Sequence, residues 1–324
     1  MELQIENEIR RDYRTGKFAI MAPNRGKRPE DFSVSKEVVT SDVSKCPFEY
    51  GKEYMSKEIM HVGDPWKIRV IENKFPELMS TIPLMFSKGN FKKISGYGYN
   101  EVVVDSPDHN TPFELLDDSQ LKLWLDTIIE REISLYDRNY IKYVLIFKNS
   151  GESAGESLSH PHTQIMAWPV IIGTIKRELR LARKYKQEKG KCLYEDVLDE
   201  ERVRLLYEDN YFIAIAPFAS RFAGESMILP KRHVNFFADL NENEKFDLVK
   251  TLKLILATNR KIFGNYSYNF AFKELKNYPE FHAHIDIYPR LTIEAGVELG
   301  NDVFVNQLTP EDYSKKFRSV LSLT

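Results

Sequence analysis

The chain has 324 residues, of which 42% are hydrophobic, so it can form one large domain or two ordinary domains with a sizeable core. Its net charge of -2 gives no support for a nucleic-acid or membrane partner, and two cysteines exclude a disulfide framework. The sequence has no run of about eighteen apolar residues and no secretory signal, so we expect a cytoplasmic protein.

After a charged turn at Gly16 and a short strand pattern, the first half of the chain predicts four further strands and one long helix. Near its start, a basic loop carries Arg25 and Arg28, which could contact one phosphate together or could simply be solvated. Alternating or apolar runs predict the strands, and apolar residues recurring every three or four positions predict the helix. In chain order these elements are strands at 66–73 and 99–105, a helix at 118–138, and strands at 143–147 and 162–168.

A glycine- and serine-rich stretch at 149–159 leads from the third of these strands into His160, His162 and Gln164. Small residues let main-chain N–H groups approach an anion closely, as they do in phosphate-binding loops. An imidazole beside such a loop can act as a nucleophile or as a metal ligand at neutral pH. We therefore expect the chemistry of the protein in this stretch.

The second half of the chain repeats this order of elements. A basic helix at 174–190, interpreted as a solvated connector, separates the two halves. The elements that follow are strands near 205–212 and 226–233, a helix at 241–263, a strand at 268–272 and the segment His282-Ala-His284. The repeat predicts an internal duplication within an α+β fold of antiparallel sheets and flanking helices, with domains at 1–170 and 171–324.

The histidines and cysteines follow the same repeat. His109 and His160 are 51 residues apart, His233 and His282 are 49 apart, and His61 is the one histidine outside the pattern. Each half therefore offers a thiol, a carboxylate and two imidazoles. The two sets of candidate metal ligands are Cys46, Glu49, His109 and His160 in the first half, and Cys192, Glu195, His233 and His282 in the second.

Such a four-ligand set suits Zn²⁺ and can also hold Fe²⁺. Because no coordination position is left open, we expect structural ions, up to two per chain, that hold the loops around the pocket. Glu49 and Glu195 could instead be ordinary charged turn residues, which would leave the sites weak or empty.

His160 and His162 are predicted to lie on one strand with one residue between them, so their side chains should project to the same face. If His160 binds a metal, His162 is available as a nucleophile toward phosphorus. Gln164 could donate a hydrogen bond to a phosphate oxygen without acting as an acid, which favours transfer over hydrolysis. Asp286 stands at the matching place beyond His284, so we expect the chemistry in the first half only, and a ligand role for His284 stays open.

The segment Asn149-x5-Gly155-x-Ser157-x2-His160-Pro-His162-x-Gln164 closely resembles the active-site signature of galactose-1-phosphate uridylyltransferases. This family is a branch of the histidine-triad superfamily whose subunits contain two fused triad units. The resemblance extends over nearly the whole chain. Its other motifs are Arg10-Arg-Asp-x-x-Thr-Gly, Arg25-x-x-Arg28-Pro, Cys46-Pro-Phe, Glu72-Asn-x-Phe-Pro, Ser106-Pro-x-His109 and His282-x-His284-x3-Tyr-Pro, and it ends at Glu298.

The resemblance implies an enzyme that transfers a nucleoside monophosphate by a ping-pong mechanism through His162, with Gln164 and Ser157 holding the α-phosphate. It also implies contacts to the nucleotide, to the sugar phosphate and to the hexose. The nucleotide contacts are Asn73, Phe75, Asn149 and Gly155. The sugar-phosphate contacts are Arg25 and Arg28, and the hexose contact is Glu298. In this family the sugar-phosphate contacts are contributed across a homodimer.

Two departures from the family pattern concern the metal and the sugar. Glu49 and Glu195 stand where the family's first metal turn usually has a second cysteine. Thr292 and Val297 stand where typical uridylyltransferases carry a lysine and a tyrosine. The segment Gly296-Val-Glu-Leu-Gly is similar to that of the sister ADP-glucose phosphorylases, which transfer AMP from an ADP-sugar to phosphate.

Three functions therefore remain, and we predict the first. It is galactose-1-phosphate uridylyltransferase, which transfers UMP from UDP-glucose to galactose 1-phosphate. The second is an ADP-glucose phosphorylase or another adenylyltransferase that acts on ADP-sugars. The third is a metal-stabilised nucleotide-binding protein with little turnover.

Overall fold

The computed structural model describes residues 7–27 and 43–323. Within these two ranges the chain forms thirteen strands and six α-helices. The strands are β1 (Glu8–Arg11), β2 (Phe18–Met21), β3 (Glu58–Val62), β4 (Ile68–Glu72), β5 (Tyr99–Val104), β6 (Tyr143–Ser150), β7 (His162–Trp168), β8 (Leu205–Glu208), β9 (Phe212–Ile215), β10 (Ser226–Pro230), β11 (Tyr268–Lys273), β12 (His284–Pro289) and β13 (Phe304–Asn306). The α-helices are α1 (Asp118–Tyr136), α2 (Gly173–Lys189), α3 (Leu193–Glu201), α4 (Glu242–Phe263), α5 (Gly296–Asn301) and α6 (Pro310–Leu321).

The described residues divide into two compact units. The first unit takes in 43–148 and 157–172, and the second takes in 7–27, 149–156 and 173–323. The domain boundary near residue 170 stays a prediction. None of the helices in the described ranges is long and apolar enough to cross a lipid bilayer.

In the first unit, the strands lie in the order β3-β4-β5-β7-β6, and each neighbouring pair is antiparallel. Helix α1 begins after Asp117, whose carboxylate accepts a hydrogen bond from the N–H of Gln120. Its apolar stripe covers one face of the sheet, where Trp124 Nε1 donates to Thr163 Oγ1 at 3.0 Å. On the other face, a buried cluster supports the strand that carries His162. This cluster consists of Cys46, Phe48, Trp66, Ile71, Val102 and Val104.

In the second unit, the strands β8-β9-β10-β12-β11 follow the same order, and neighbours are again antiparallel. Helix α4 connects β10 to β11, as α1 connects β5 to β6. Asn241 and Glu244 form a capping box at the start of α4. The two units thus repeat one pattern of strands and helix, and the prediction of an α+β fold with two fused units and antiparallel sheets is confirmed.

The sequence pattern predicts the short strand β2, but it predicts neither the sheet that contains β2 nor the helix α3. A three-stranded sheet has the order β1-β2-β13, in which β13 runs parallel to β2. The short helix α3 follows directly after Cys192. The three predicted helices were placed within two residues of the ends of α1, α2 and α4.

The prediction that His160 and His162 lie on one strand is wrong, because β7 begins at His162. Pro161 precedes it, and its oxygen accepts from the N–H of Asp105 at 3.0 Å, but proline has no N–H to return a second bond. In the second unit His282 likewise precedes β12, which begins at His284. Each pair therefore consists of one histidine in a loop and one at the start of a strand.

Candidate active site and metal sites

His162 is buried at the start of β7, with 5% of its surface exposed. Its Nδ1 donates a hydrogen bond to the main-chain oxygen of His160 at 2.9 Å. Because a carbonyl oxygen only accepts, Nδ1 carries the proton and Nε2 carries the lone pair. Burial and the positive charge of Lys148 lower the pKa of His162 to about 4, so the ring is neutral at neutral pH. The imidazole has the tautomer that makes Nε2 nucleophilic.

A buried ion pair fixes the main chain beneath His162. Lys148 Nζ lies 2.7 Å from Asp105 Oδ2 and donates to the main-chain oxygen of His162 at 2.8 Å. Both charged side chains are buried, and the ammonium also lies 5.1 Å from the centre of the Phe113 ring. The lysine on β6 thus ties the end of β5 to the first residue of β7.

Phe48 packs against both histidines of the His160-Pro-His162 segment. Its ring centre lies 5.9 Å from that of His160 and 5.5 Å from that of His162. Gln164 is half-buried two residues further along β7, so its side chain projects to the same face as that of His162. The structure therefore brings the two candidate catalytic side chains of β7 onto one face.

The first set of predicted metal ligands forms one group in the first unit. The ligand atoms of Cys46, Glu49, His109 and His160 all lie within 4.8 Å of one another. The Cys46 Sγ to His160 Nδ1 distance is 3.8 Å, and Glu49 Oε1 lies 3.1 Å from His160 Nδ1 and also contacts His109 Nδ1. Four donors of the predicted types thus converge on one point.

The orientation of His160 fits a cation at that point. Its Nε2 donates to the main-chain oxygen of Ser106 at 2.8 Å, so a neutral ring directs the lone pair of Nδ1 at the Glu49 carboxylate and the Cys46 sulfur. Burial lowers the pKa of His160, which opposes a second proton on the ring. A lone pair that faces a carboxylate and a thiol is favourable when a cation lies between them, with Ser106 as the outer partner that fixes the tautomer.

The second group contains three of the four predicted ligands. The ligand atoms of Cys192, His233 and His282 lie within 4.8 Å of one another. His282 Nε2 donates to the main-chain oxygen of Pro230 at 2.9 Å, and its Nδ1 lies 3.5 Å from Cys192 Sγ. The outer nitrogen of His282 is therefore anchored as that of His160 is in the first group.

Glu195 is not a member of this second group. Its Oε1 accepts a hydrogen bond from the main-chain N–H of Cys192 at 3.0 Å, as the third residue of a capping box at the start of α3. The helix explains the difference from Glu49. Helix α3 begins directly after Cys192, whereas in the described residues after Cys46 the next α-helix is α1, which begins at Asp118. A ligand role for Glu195 stays a prediction.

His284 has the position of His162 in the second unit but different neighbours. Its Nδ1 donates to the main-chain oxygen of His282 at 2.9 Å, as His162 does to His160. Its Nε2 lies 3.7 Å from Glu178 Oε2 and 4.0 Å from Asp286 Oδ2, and Arg14 Nη1 donates to Asp286 at 2.8 Å. Two carboxylates and a guanidinium thus lie around His284, whereas Gln164 stands at the corresponding place beyond His162.

The candidate nucleotide contacts Asn73 and Phe75 lie just after β4. Asn73 lines a cavity of about 490 Å³ in the first unit, and its Oδ1 accepts from the N–H of Phe75 at 2.9 Å. Phe75 is 82% exposed. An exposed ring beside a cavity of this size offers a surface on which a nucleobase could stack.

The remaining candidate contacts lie on loops and short helices. Ser157 and Gly155 are exposed between β6 and β7, Asn149 is half-buried on β6, and Arg25 is exposed in a 3-10 helix at Pro23–Lys27. Arg28 lies outside the described residues.

Glu298, the candidate hexose contact, lies on α5 and uses both carboxylate oxygens within its own neighbourhood. Oε2 accepts from the N–H of Ala295 at 2.9 Å, and Oε1 accepts from the N–H of Val305 at 3.3 Å. The side chain therefore caps the helix and holds the start of β13.

Sequence reasoning missed the residues that support the site from behind. Lys148 and Phe48 contact the two histidines or their main chain, Asp105 pairs with Lys148, and Asn269 contacts Asn149 and the loop that follows it. Opposite charges at the ends of two predicted neighbouring strands were a signal for the Lys148–Asp105 pair. Nothing in the local pattern pointed to Asn269, because its partners are about 120 residues away in sequence.

The matches to known proteins cover nearly the whole chain. A family model for the N-terminal domain of galactose-1-phosphate uridyl transferase matches residues 2–171, and a model for a domain of unknown function matches 114–323. The chain is 34% identical to an ADP-glucose phosphorylase of Arabidopsis thaliana, covering 98% of this chain and 93% of that protein. It is 31% identical to a galactose-1-phosphate uridylyltransferase of Thermotoga maritima, covering 96% and 98%.

Solved structures of an ADP-glucose phosphorylase and a uridylyltransferase are similar to this chain over nearly its full length. A crystal structure of an ADP-glucose phosphorylase from Arabidopsis thaliana with bound ADP-glucose has a TM-score of 0.84 and 30% identity over 96% of this chain and 98% of that chain. A uridylyltransferase structure has a TM-score of 0.79 and 25% identity over 98% and 99%. The family resemblance inferred from the sequence is therefore confirmed. The chain belongs to the galactose-1-phosphate uridyl transferase family and is a nucleotidyltransferase that acts on sugar phosphates.

Proposed function

We propose that the protein transfers a nucleoside monophosphate from a nucleotide sugar to a phosphate acceptor through a covalent intermediate on His162. The hydrogen bond from Nδ1 of His162 to the main-chain oxygen of His160 carries this proposal, because it leaves the lone pair on Nε2. The same carbonyl stabilises the positive charge that the ring gains when Nε2 attacks.

The reaction proceeds in two displacements at the α-phosphorus. In the first, a bond forms between Nε2 and the α-phosphorus, and the bond from that phosphorus to the bridging oxygen breaks. The sugar 1-phosphate leaves with the electron pair of that bond as a phosphate oxygen and needs no proton. In the second, an oxygen of the acceptor phosphate attacks the α-phosphorus, and the imidazole recovers its electron pair.

Contacts to the nucleotide follow the family resemblance. Gln164 and Ser157 hold the α-phosphate, and Gln164 is supported by its place on the same face as His162. Asn149 and Gly155 contact the nucleotide from the loop after β6. The base lies against Asn73 and Phe75, beside the cavity in the first unit.

The sugar-phosphate side follows the family resemblance as well. Arg25 and Arg28 bind the phosphate of the sugar 1-phosphate, since two guanidinium groups three residues apart suit a doubly charged group. In the family these arginines act across a homodimer, and we propose the same assembly here.

The two groups of metal ligands would hold structural ions, with Zn²⁺ favoured by the thiol and imidazole donors and Fe²⁺ as the alternative. Cys46, Glu49, His109 and His160 would bind one ion, and Cys192, His233 and His282 would bind the other, while the carboxylate of Glu195 caps α3. A bound ion would supply a rigid link between the loops, while His162 performs the transfer.

Two nucleotide donors have support. UDP-glucose, with galactose 1-phosphate as acceptor, is the pair predicted from the sequence, and several relatives are named galactose-1-phosphate uridylyltransferase. ADP-glucose, with inorganic phosphate as acceptor, matches the Arabidopsis relative at 34% identity. We favour the ADP-sugar, because Thr292 and Val297 stand where typical uridylyltransferases carry a lysine and a tyrosine, and the ADP-glucose phosphorylase is a relative at 34% identity.

Turnover with each donor and acceptor pair separates the two candidates. The protein is incubated with ADP-glucose and inorganic phosphate, or with UDP-glucose and galactose 1-phosphate, and the nucleotides and sugar phosphates are separated by ion exchange. We expect ADP and glucose 1-phosphate from the first mixture at a rate at least about tenfold above that of the second, the ratio that one polar contact to the base or sugar supplies. UDP-galactose as the faster product would assign uridylyl transfer instead.

A further inference from the structure

Asn269 on β11 connects the second unit's sheet to the loop that follows Asn149. Its Nδ2 donates a hydrogen bond to Asn149 Oδ1 at 2.8 Å and a second to the main-chain oxygen of Ala154 at 2.9 Å. Asn149, Ala154 and Asn269 all belong to the second compact unit, and Asn269 is half-buried. One carboxamide thus fixes both the side chain of Asn149 and the far end of its loop.

The partner at Ala154 determines the orientation of both carboxamides. A main-chain oxygen only accepts, so the atom of Asn269 that faces the loop must be its NH2 group. The atom of Asn149 that meets the same NH2 group must then be its oxygen. The NH2 group of Asn149 therefore points away from Asn269, and within the described residues it makes no hydrogen bond.

The loop itself is held closely against Ser267, the residue that precedes β11. Gly151 has φ +87° and ψ 158°, a backbone conformation that only glycine adopts readily, and a Cβ at this position would lie 2.2 Å from Ser267 Oγ. The Gly151 N–H donates to Glu156 Oε2 at 2.6 Å, which closes the loop on itself. The main chain of the loop that follows Asn149 is thus fixed, and the orientation of the Asn149 amide depends on Asn269.

We propose that Asn269 is a positioning residue for nucleotidyl transfer, which holds the NH2 group of Asn149 toward a phosphate oxygen of the nucleotide. This inference rests on the proposed function, in which Asn149 contacts the nucleotide. An NH2 group donates to an anionic oxygen, whereas the amide oxygen would repel it. The orientation of one amide therefore decides whether Asn149 attracts or repels the phosphate.

Asn269→Asp tests this orientation with almost no change in shape. A carboxylate only accepts, so it can pair with Asn149 only if the Asn149 amide turns over and presents its oxygen to the phosphate. We expect the rate constant for forming the covalent adduct with ³²P-labelled ADP-glucose or UDP-glucose to fall about 10-fold to 100-fold, the factor for a hydrogen bond to a charged group.

Asn235→Asp is the matched control. Asn235 is also half-buried in the second unit, and its Nδ2 donates to the main-chain oxygens of Leu275 and Lys276 at 2.9 and 3.1 Å. This variant loses two hydrogen bonds of similar length to those of Asn269, and neither of their acceptors belongs to the loop that follows Asn149. We expect it to lower thermal stability while its adduct rate stays within about twofold of the wild-type rate.

A double-mutant cycle separates positioning from general damage. In an Asn149→Ala background, Asn269 has no amide to orient, so Asn269→Asp should change the adduct rate by less than about twofold. An equal loss in both backgrounds would overturn the positioning role. An adduct that forms in Asn269→Asp at the wild-type rate would also overturn it. Absence of an adduct in the wild-type protein with either donor would overturn the proposed function and the role of Asn269 with it.

Discussion

The ammonium group of Lys148 lies 2.7 Å from the carboxylate of Asp105, and both side chains are buried directly behind His162. Two buried charges are costly to remove from water, and their pairing offsets that cost only while both partners are present. Lys148 also donates to the main-chain oxygen of His162 at 2.8 Å. The pair therefore links the stability of the first unit to the position of His162, the proposed nucleophile.

Lys148→Met should destabilise the protein strongly, because it leaves the Asp105 carboxylate buried without its partner. We expect a loss of about 3–5 kcal/mol in the free energy of unfolding, measured by urea denaturation. Lys148→Met combined with Asp105→Leu should recover a large part of this loss, since neither charge then remains.

Lys122→Met is the control for this pair. Lys122 lies 2.5 Å from Asp126 on the more exposed side of α1, and such a pair contributes less than about 1 kcal/mol. The account of the buried pair is wrong if Lys148→Met lowers the free energy of unfolding by no more than Lys122→Met does.

The first ligand group should bind a metal ion that depends on His160. His160→Ala should remove about one equivalent of metal per chain, measured by elemental analysis, because four donors converge there. His61→Ala should keep the wild-type metal content, since His61 is half-exposed on β3 and lies outside both groups. Equal metal content in the two variants would contradict the assignment.

The two glutamates of the repeated turns should behave differently. Glu49→Ala should lower the metal content, because its carboxylate faces the imidazoles of His109 and His160. Glu195→Ala should keep the metal content and weaken only the start of α3, where Glu195 accepts from the N–H of Cys192. Loss of metal from the Glu195 variant, measured in the same way, would restore Glu195 to the ligand set.

Gly151→Ala should be costly because of the backbone conformation and the contact with Ser267. Gly264 has φ 78° and ψ -150°, a comparable glycine conformation, but a Cβ there meets no atom within 4 Å. We therefore expect Gly264→Ala to cost about 1–2 kcal/mol and Gly151→Ala to cost more, by urea denaturation. Equal losses would show that the contact with Ser267 contributes nothing.

The sequence predicted those parts of the molecule in which chemistry and periodicity repeat. The duplicated order of strands and helix followed from apolar spacing, and the first ligand group followed from residues at equal places in the two halves. The proposal of His162 as the nucleophile came from its place beside a predicted ligand, and the structure adds the hydrogen bond that fixes its tautomer.

Other features depend on contacts that periodicity does not encode. Glu195 stands at the place of Glu49, yet α3 begins at once after Cys192 and the local N–H captures its carboxylate. The pairing of β13 with β2 joins segments almost 300 residues apart, and the contact of Asn269 with Asn149 spans 120. Such contacts are set by the tertiary fold, so a single sequence shows no local signal for them.

The covalent intermediate is the central claim, and labelling of the protein tests it directly. Protein is mixed with ADP-glucose or UDP-glucose carrying ³²P in the α-phosphate, denatured in alkali to preserve a phosphoramidate bond, and digested for mass spectrometry. We expect an acid-labile nucleotidyl group on the peptide that contains His162, no label in folded His162→Gly, and full label in His61→Gly. Label of wild-type extent in His162→Gly would contradict the account.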